Sequence, residues 1–189
     1  MFTLAIMLFD LLLCLFIILT VFRIIRAVFM RLKFMKNLRS ICENKKYTLK
    51  KLRFPLTSIF YKSKKIDLIL ETKDSIYNIK FISSLSKKKF YHFVDEKNYI
   101  TYYKLFFALP MSRKFSESIN FLSYHSFPPL EKKENSNEKY VILFNPVPNE
   151  ISHIAKDGAK QITSNGAMIG DLYIYNARGF CSFIDQLDV

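Results

Sequence analysis

One apolar helix that crosses a membrane, followed by an α/β (α+β) domain built on a mixed sheet, is the fold class this 189-residue chain predicts. Three observations point there. Residues 2–22, FTLAIMLFDLLLCLFIILTVF, form an apolar run broken by a single formal charge, Asp10. A dense basic band begins at Arg23. Short alternating segments then fill residues 47–105, joined by Asn, Asp, Lys and Ser rather than by glycine; all four glycines (Gly158, Gly166, Gly170, Gly179) come later.

The anchor is assigned to residues 1–22. At about 1.5 Å per residue its helix reaches roughly 30 Å, the thickness of a bilayer's hydrocarbon core. A cleaved signal peptide carries positive charge before its apolar stretch and small residues at the cut site. Here nothing basic precedes Arg23, and the bulky Phe22-Arg23-Ile24-Ile25 follows. A core helix of a soluble protein keeps one polar face, which this run lacks. Asp10 shares a helix face with Thr3 and Cys14. That face is either a polar seam for self-association or a partner span, or the site of a protonated, tolerated carboxyl.

Charge sets the orientation. Residues 23–65 hold 14 Lys and Arg against one acid, Glu43, and their balance of +13 equals that of the whole chain. Basic excess just after a span marks its cytoplasmic side, so the N-terminus is expected outside and residues 23–189 in the cytoplasm. Within residues 23–44 the pattern stays helical. Arg23, Arg26, Arg31, Lys33, Lys36 and Arg39 alternate with Ile, Val, Phe, Met and Leu. This reads as a juxtamembrane collar whose partners are anionic lipid headgroups.

The core, residues 45–129, is expected to hold strands at Tyr47–Phe54, Lys65–Glu71, Ile76–Ile82, Phe90–Asp95 and Tyr99–Leu105, and a helix at Ser112–His125. Residues 130–138 form a polar linker or loop. The tail, residues 139–189, opens with the buried strand Lys139–Phe144, stopped by Asn145-Pro146-Val147-Pro148. Strands at Glu150–Ala155 and Asp171–Tyr175 and a helix at Arg178–Leu187 complete it, with Phe180, Phe183, Ile184 and Leu187 facing the strands.

Chemistry concentrates on the paired strands 65–71 and 76–82. Side chains alternate along a strand, which puts Asp67, Ile69 and Glu71 on one face, and Asn78 with Lys80 on one face of the partner. Carboxylates in such a hairpin can grip a divalent metal while a lysine orients the attacking water. The element order, with IDLILETKDSIYNIKF at its centre, resembles the αβββαβ core of the restriction-endonuclease-like PD-(D/E)xK superfamily across residues 31–144. That resemblance implies a nuclease-like fold, with Asp67 as the first acid and Lys80 as the lysine. It departs from the pattern at Asn78, where the family has Asp or Glu, and at Ile66, where it has Pro. Asn offers one neutral oxygen where the metal wants an anion, so the site reads as degenerate, with Glu71 or Glu43 as substitutes. No cofactor is expected, and Mg²⁺ at Asp67 only if the nuclease is active. The blocks KYVILFNPVPNEIS and NGAMIGDLYIY resemble the tails of small, uncharacterised bacterial membrane proteins from low-GC species, which implies no activity.

Other chemistries find less. His92, His125 and His153 and Cys14, Cys42 and Cys181 make no zinc spacing and no disulfide framework. No phosphate loop is present. Basic–aromatic interleaving at residues 87–93 and 99–104 suits single-stranded nucleic acid, lipid or protein, or a sheet packing its own core. The expectation is a membrane-tethered, non-enzymatic interaction or scaffold domain. Its alternatives are a tethered metal-dependent nuclease and a tethered nucleic-acid-binding protein.

Overall fold

The computed structural model describes residues 2–53, 56, 59, 66–84, 89–94, 98–103, 115–118, 137–148, 150–154, 160–162, 166–169 and 172–187. Its first element is one unbroken helix, α1 (Phe2–Lys45). From Ile6 to Val21 its large apolar side chains are exposed all round, Leu11 at 65% and Phe16 at 66%. Thr20 returns its hydroxyl to the Phe16 carbonyl at 2.8 Å, which satisfies that hydroxyl within the helix. This stretch is long and apolar enough to cross a membrane.

Past Ala27 the same helix changes character. Ala27, Arg31, Phe34, Met35, Leu38 and Cys42 are buried, and their three- and four-residue spacing makes one stripe along the helix. The segment expected to be a separate collar is therefore also the first core element of the domain. The helix closes at Lys46, whose φ of 58° is left-handed. Lys46 N–H donates to the Glu43 carbonyl and Tyr47 N–H to the Cys42 carbonyl at 2.9 Å, which satisfies carbonyls the helix end would orphan.

Eleven strands follow among the described residues: β1 (Thr48–Lys51), β2 (Leu68–Glu71), β3 (Ile76–Ile82), β4 (Lys89–Phe93), β5 (Asn98–Tyr103), β6 (Phe115–Ser118), β7 (Glu138–Phe144), β8 (Glu150–Ile154), β9 (Lys160–Ile162), β10 (Ala167–Ile169) and β11 (Leu172–Asn176), then helix α2 (Ala177–Gln186). They form two sheets. Sheet A has the order β1-β2-β3-β7-β11-β10 and sheet B the order β6-β5-β4-β8-β9. In sheet A, β1, β2 and β3 make an antiparallel meander. β7 lies parallel to β3 and to β11, and β10 closes the sheet antiparallel.

Alternation along β3 and β7 builds three layers. Tyr77, Ile79, Phe81, Val141 and Leu143 meet Phe34, Leu38 and Cys42 of α1 and Phe180 and Ile184 of α2. Tyr140, Ile142 and Phe144, from the other face of β7, meet Tyr91, Phe93 and Tyr99 of sheet B. The order of layers is helices, sheet A, sheet B. α2 is capped by Asn176, whose side chain accepts the Gly179 N–H at 2.8 Å.

Two expectations change. Residues 115–118, placed in a helix at 112–125, are strand β6, paired antiparallel with β5; the rest of that segment lies outside the described residues. An open strand edge rewards extended backbone in a way local helix preference cannot offset. The connection from β3 to β7 thus passes through strands of sheet B. The strand expected at Lys139–Phe144 is β7, a central strand of sheet A, and it begins one residue earlier at Glu138, within the expected linker.

Candidate functional site

Asp67 sits just before β2, and the strand is irregular there. Leu68 is the register partner of Ile79, yet Asp67 N–H also reaches the Ile79 carbonyl at 3.0 Å. Leu52 and Arg53 N–H both donate to the Asp67 carbonyl, at 3.1 and 3.3 Å. Two residues addressing one is the pattern of a bulge, so strict alternation no longer ties Asp67 to the face of Ile69 and Glu71.

The carboxyl is 2% exposed. Its Oδ2 accepts the Phe81 N–H at 2.9 Å, and its Oδ1 has no hydrogen-bond partner. Arg31, Arg53 and Lys80 are near enough to act on its charge. Burial nevertheless outweighs the Phe81 N–H and these cations, and holds the Asp67 carboxyl above the usual aspartate range. Lys80, 8% exposed, is on β3 opposite this end of β2.

Arg31 is fully buried, at 0% exposure. It therefore cannot serve the headgroup role expected of it; Arg23, Arg26, Lys33, Lys36 and Arg39 remain exposed. Its Nη2 donates to Ser83 Oγ and to the Asn145 carbonyl, each at 2.8 Å, and its guanidinium stacks 3.5 Å over the Phe81 ring. Asn145 answers by donating Nδ2 to the Met30 carbonyl at 3.4 Å. Burial lowers the Arg31 pKa to about 9, against the raising effect of Asp67.

The other two expected site residues lead elsewhere. Asn78 Nδ2 donates to Glu138 Oε2 at 3.3 Å, and Tyr140 OH donates to the same oxygen at 3.4 Å. Glu71, opposite Ile76 at the far end of β2, pairs with Lys50 at 2.5 Å. Asp67 and Glu71 are four residues apart, or about 13 Å along a strand, too far for one ion. Among the described residues no group of three His, Cys, Asp or Glu could hold a metal. A divalent cation beside Asp67 would meet three positive side chains and one carboxyl. The donor set does not fit it.

Sequence spacing missed Arg31, Arg53, Asn145 and Glu138, all brought in by packing. It also missed a Ser–His contact. His92 Nδ1 lies 3.0 Å from Ser152 Oγ across the parallel β4–β8 pair. Ser152 is 0% exposed, so no substrate reaches it, and the contact serves the sheet. Phe90, Tyr91, Phe93 and Tyr99, the described rings of the basic–aromatic segments, are buried. Tyr91 and Phe93 pack edgewise on Phe144 at 4.9 and 6.4 Å, so they offer no stacking platform for bases. Comparison with protein-family models, curated proteins and solved structures finds no match to this chain.

Proposed function

We propose that this protein is a single-span membrane protein, N-terminus outside, whose cytoplasmic domain is a non-catalytic interaction module on a degenerate restriction-endonuclease-like core. One observation carries the loss of catalysis. The buried Asp67 carboxyl is hydrogen-bonded to backbone and surrounded by Arg31, Arg53 and Lys80, while Asn78 and Glu71 are committed to Glu138 and Lys50. An ancestral metal site in which cations have replaced the metal is consistent with all of these contacts.

The nuclease-like reading draws support from the antiparallel meander β1-β2-β3 with β7 parallel beside β3, with α1 packed on that sheet. It draws further support from Asp67 at the start of β2 and Lys80 on β3. The sheet-B crossover between β3 and β7 is a departure from the helix that the family uses. The anchor reading rests on the exposed apolar half of α1 followed by Arg23, Arg26, Lys33, Lys36 and Arg39. A cytoplasmic protein partner or a second copy, gathered at the anionic leaflet, is the ligand class this arrangement suits.

The test uses the full chain in lipid nanodiscs, with Mg²⁺ or Mn²⁺ and single- and double-stranded DNA and RNA. No metal-dependent cleavage is expected. Cleavage that disappears in both Asp67→Ala and Lys80→Ala would establish the enzyme instead. Crosslinking in native membranes is expected to yield a discrete adduct with a protein or a second copy; recovery as monomer alone contradicts an interaction role. For orientation, protease added to sealed right-side-out cells should leave residues 45–189 intact.

A further inference from the structure

The path of α1 fixes which end of the domain faces the bilayer. Met30 and Arg31 are bonded to Ser83 and Asn145, just past the C-terminal ends of β3 and β7. At the other end of the helix, Lys45 Nζ donates to the Leu187 carbonyl, past the end of α2. Sheet A therefore points the C-terminal ends of β3, β7 and β11 toward the apolar half of α1, and the Thr72–Ser75 turn away from it. Arg31 stands nine residues beyond Phe22, about 13 Å along the helix. Headgroups fill roughly 5–8 Å of that height, which leaves about the depth of one loop between the strand ends and the lipid.

Ile162, Met168 and Val94 are exposed apolar side chains on other elements, and the end that faces the apolar half of α1 sets such side chains beside exposed cations. Leu52, after β1, is 55% exposed, and Val147, in the loop after β7, is 39% exposed. On α1 itself Phe29 and Leu32 stay 67% and 51% exposed, so the apolar surface of the helix continues up to the strand ends. Lys51 and Arg178 are exposed there, and Arg53 is half-buried beside them. Arg178 follows Asn176, which pairs with Phe144. Among the described residues Glu71, Asp74 and Glu138 are at the opposite end of sheet A, Glu43 and Asp185 lie near the far ends of their helices and Asp67 is buried, while the half-buried Glu150 opens β8 three residues after Val147.

We propose that this end of sheet A is a second membrane contact. Leu52 and Val147 enter the interfacial layer of the leaflet that α1 leaves, and the exposed Lys51 and Arg178 pair with the phosphates of anionic lipid. Apolar tips flanked by cations are what such a layer binds, and each cation near it adds attraction to anionic lipid. The contact rests on the reading of α1 as a span. It would hold the domain upright, with its far end, the Thr72–Ser75 turn and Glu138, presented to the cytosol.

The test places an environment-sensitive fluorescent amino acid at Leu52, Val147, Lys73 or Leu15 of the full chain in nanodiscs whose lipid carries a nitroxide in the headgroup or, for Leu15, midway along the acyl chain. Quenching at Leu52 and Val147 should be several-fold stronger than at Lys73, and stronger in anionic than in zwitterionic bilayers. Lys51→Glu with Arg178→Glu, both at exposed positions, should weaken it at Val147 in anionic bilayers. Quenching at Leu15 with Leu52 and Val147 no different from Lys73 overturns the contact and spares the span. The absence of quenching at Leu15 overturns the span and the contact together. Undiminished quenching in the double variant overturns the role of the cations.

Discussion

The two halves of α1 share one backbone and differ in what surrounds them. Between Ile6 and Val21 every large apolar side chain is exposed, whereas from Ala27 to Cys42 one stripe of the helix is buried and, of the large apolar side chains, only Phe29 and Leu32 stay exposed. No kink or break separates them. A helix apolar all round suits lipid, and a helix apolar on one side suits a sheet. The change occurs around Ala27 to Arg31, so the domain is built directly onto the exposed apolar half within one continuous helix. Motion of that half would reach Arg31, and through it the ends of β3 and β7.

That contrast can be broken hardest at Arg31. Arg31→Ala removes the donor to Ser83 and to the Asn145 carbonyl and leaves Asp67 with fewer cations. It should cost about 3–5 kcal/mol in denaturant unfolding of the full chain in detergent, whereas the exposed Lys33→Ala should stay within about 0.5 kcal/mol. Equal effects would mean that Arg31 is no keystone. Next comes Leu38→Ala, at a side chain with 0% exposure, which should cost about 3 kcal/mol. Leu15→Ala, in the exposed half, should leave domain unfolding unchanged. A Leu15 effect of similar size would place that half inside the protein fold as well.

Smaller still is the end of the soluble half. Lys46 holds a left-handed φ of 58°, which glycine adopts without a Cβ penalty. Lys46→Gly should stabilise the domain by about 1 kcal/mol, read from the shift in unfolding midpoint. The weakest effect concerns pH, because opposing causes partly cancel at Asp67. Its folded pKa lies above the unfolded value, so the folded chain holds a proton that the unfolded chain has released. The stability this group contributes is complete below the ordinary aspartate pKa and is lost as pH rises through the raised value. Unfolding measured across acidic to neutral pH should show that decline, and Asp67→Asn should flatten it. An unchanged slope would assign the titration to another group.

Much of the fold was legible because periodicity is a local property. The run 2–22, the strand IYNIKFI, the apolar KYVILF and the one-sided helix ending in Phe183-Ile184 each declare their surroundings within ten residues or so. Phe115–Ser118 did not, since its strand state depends on the open edge of β5, more than ten residues away in sequence. Strict alternation likewise misled at Asp67, where a bulge re-aims the side chain, and at Glu71, whose position on β2 leaves it facing Lys50. Arg31 looked like six other cations in the same helix. Only the path of α1 across the ends of β3 and β7 singles it out.

By itself the chain's order of residues determined an apolar helix of membrane-crossing length, a basic flank and a set of short strands closed by an amphipathic helix. Those follow from side-chain spacing and the free energy of leaving water, which act residue by residue. Tertiary structure alone decided that the helix runs on into the core, that β7 lies between β3 and β11 with its two faces in different layers, and that Asp67 meets cations instead of carboxylates. Such outcomes depend on which groups are brought together from 14 to 114 residues apart, as Phe81 is to Asp67 and Asn145 to Arg31. Long-range desolvation sets them, and no short window of sequence contains it.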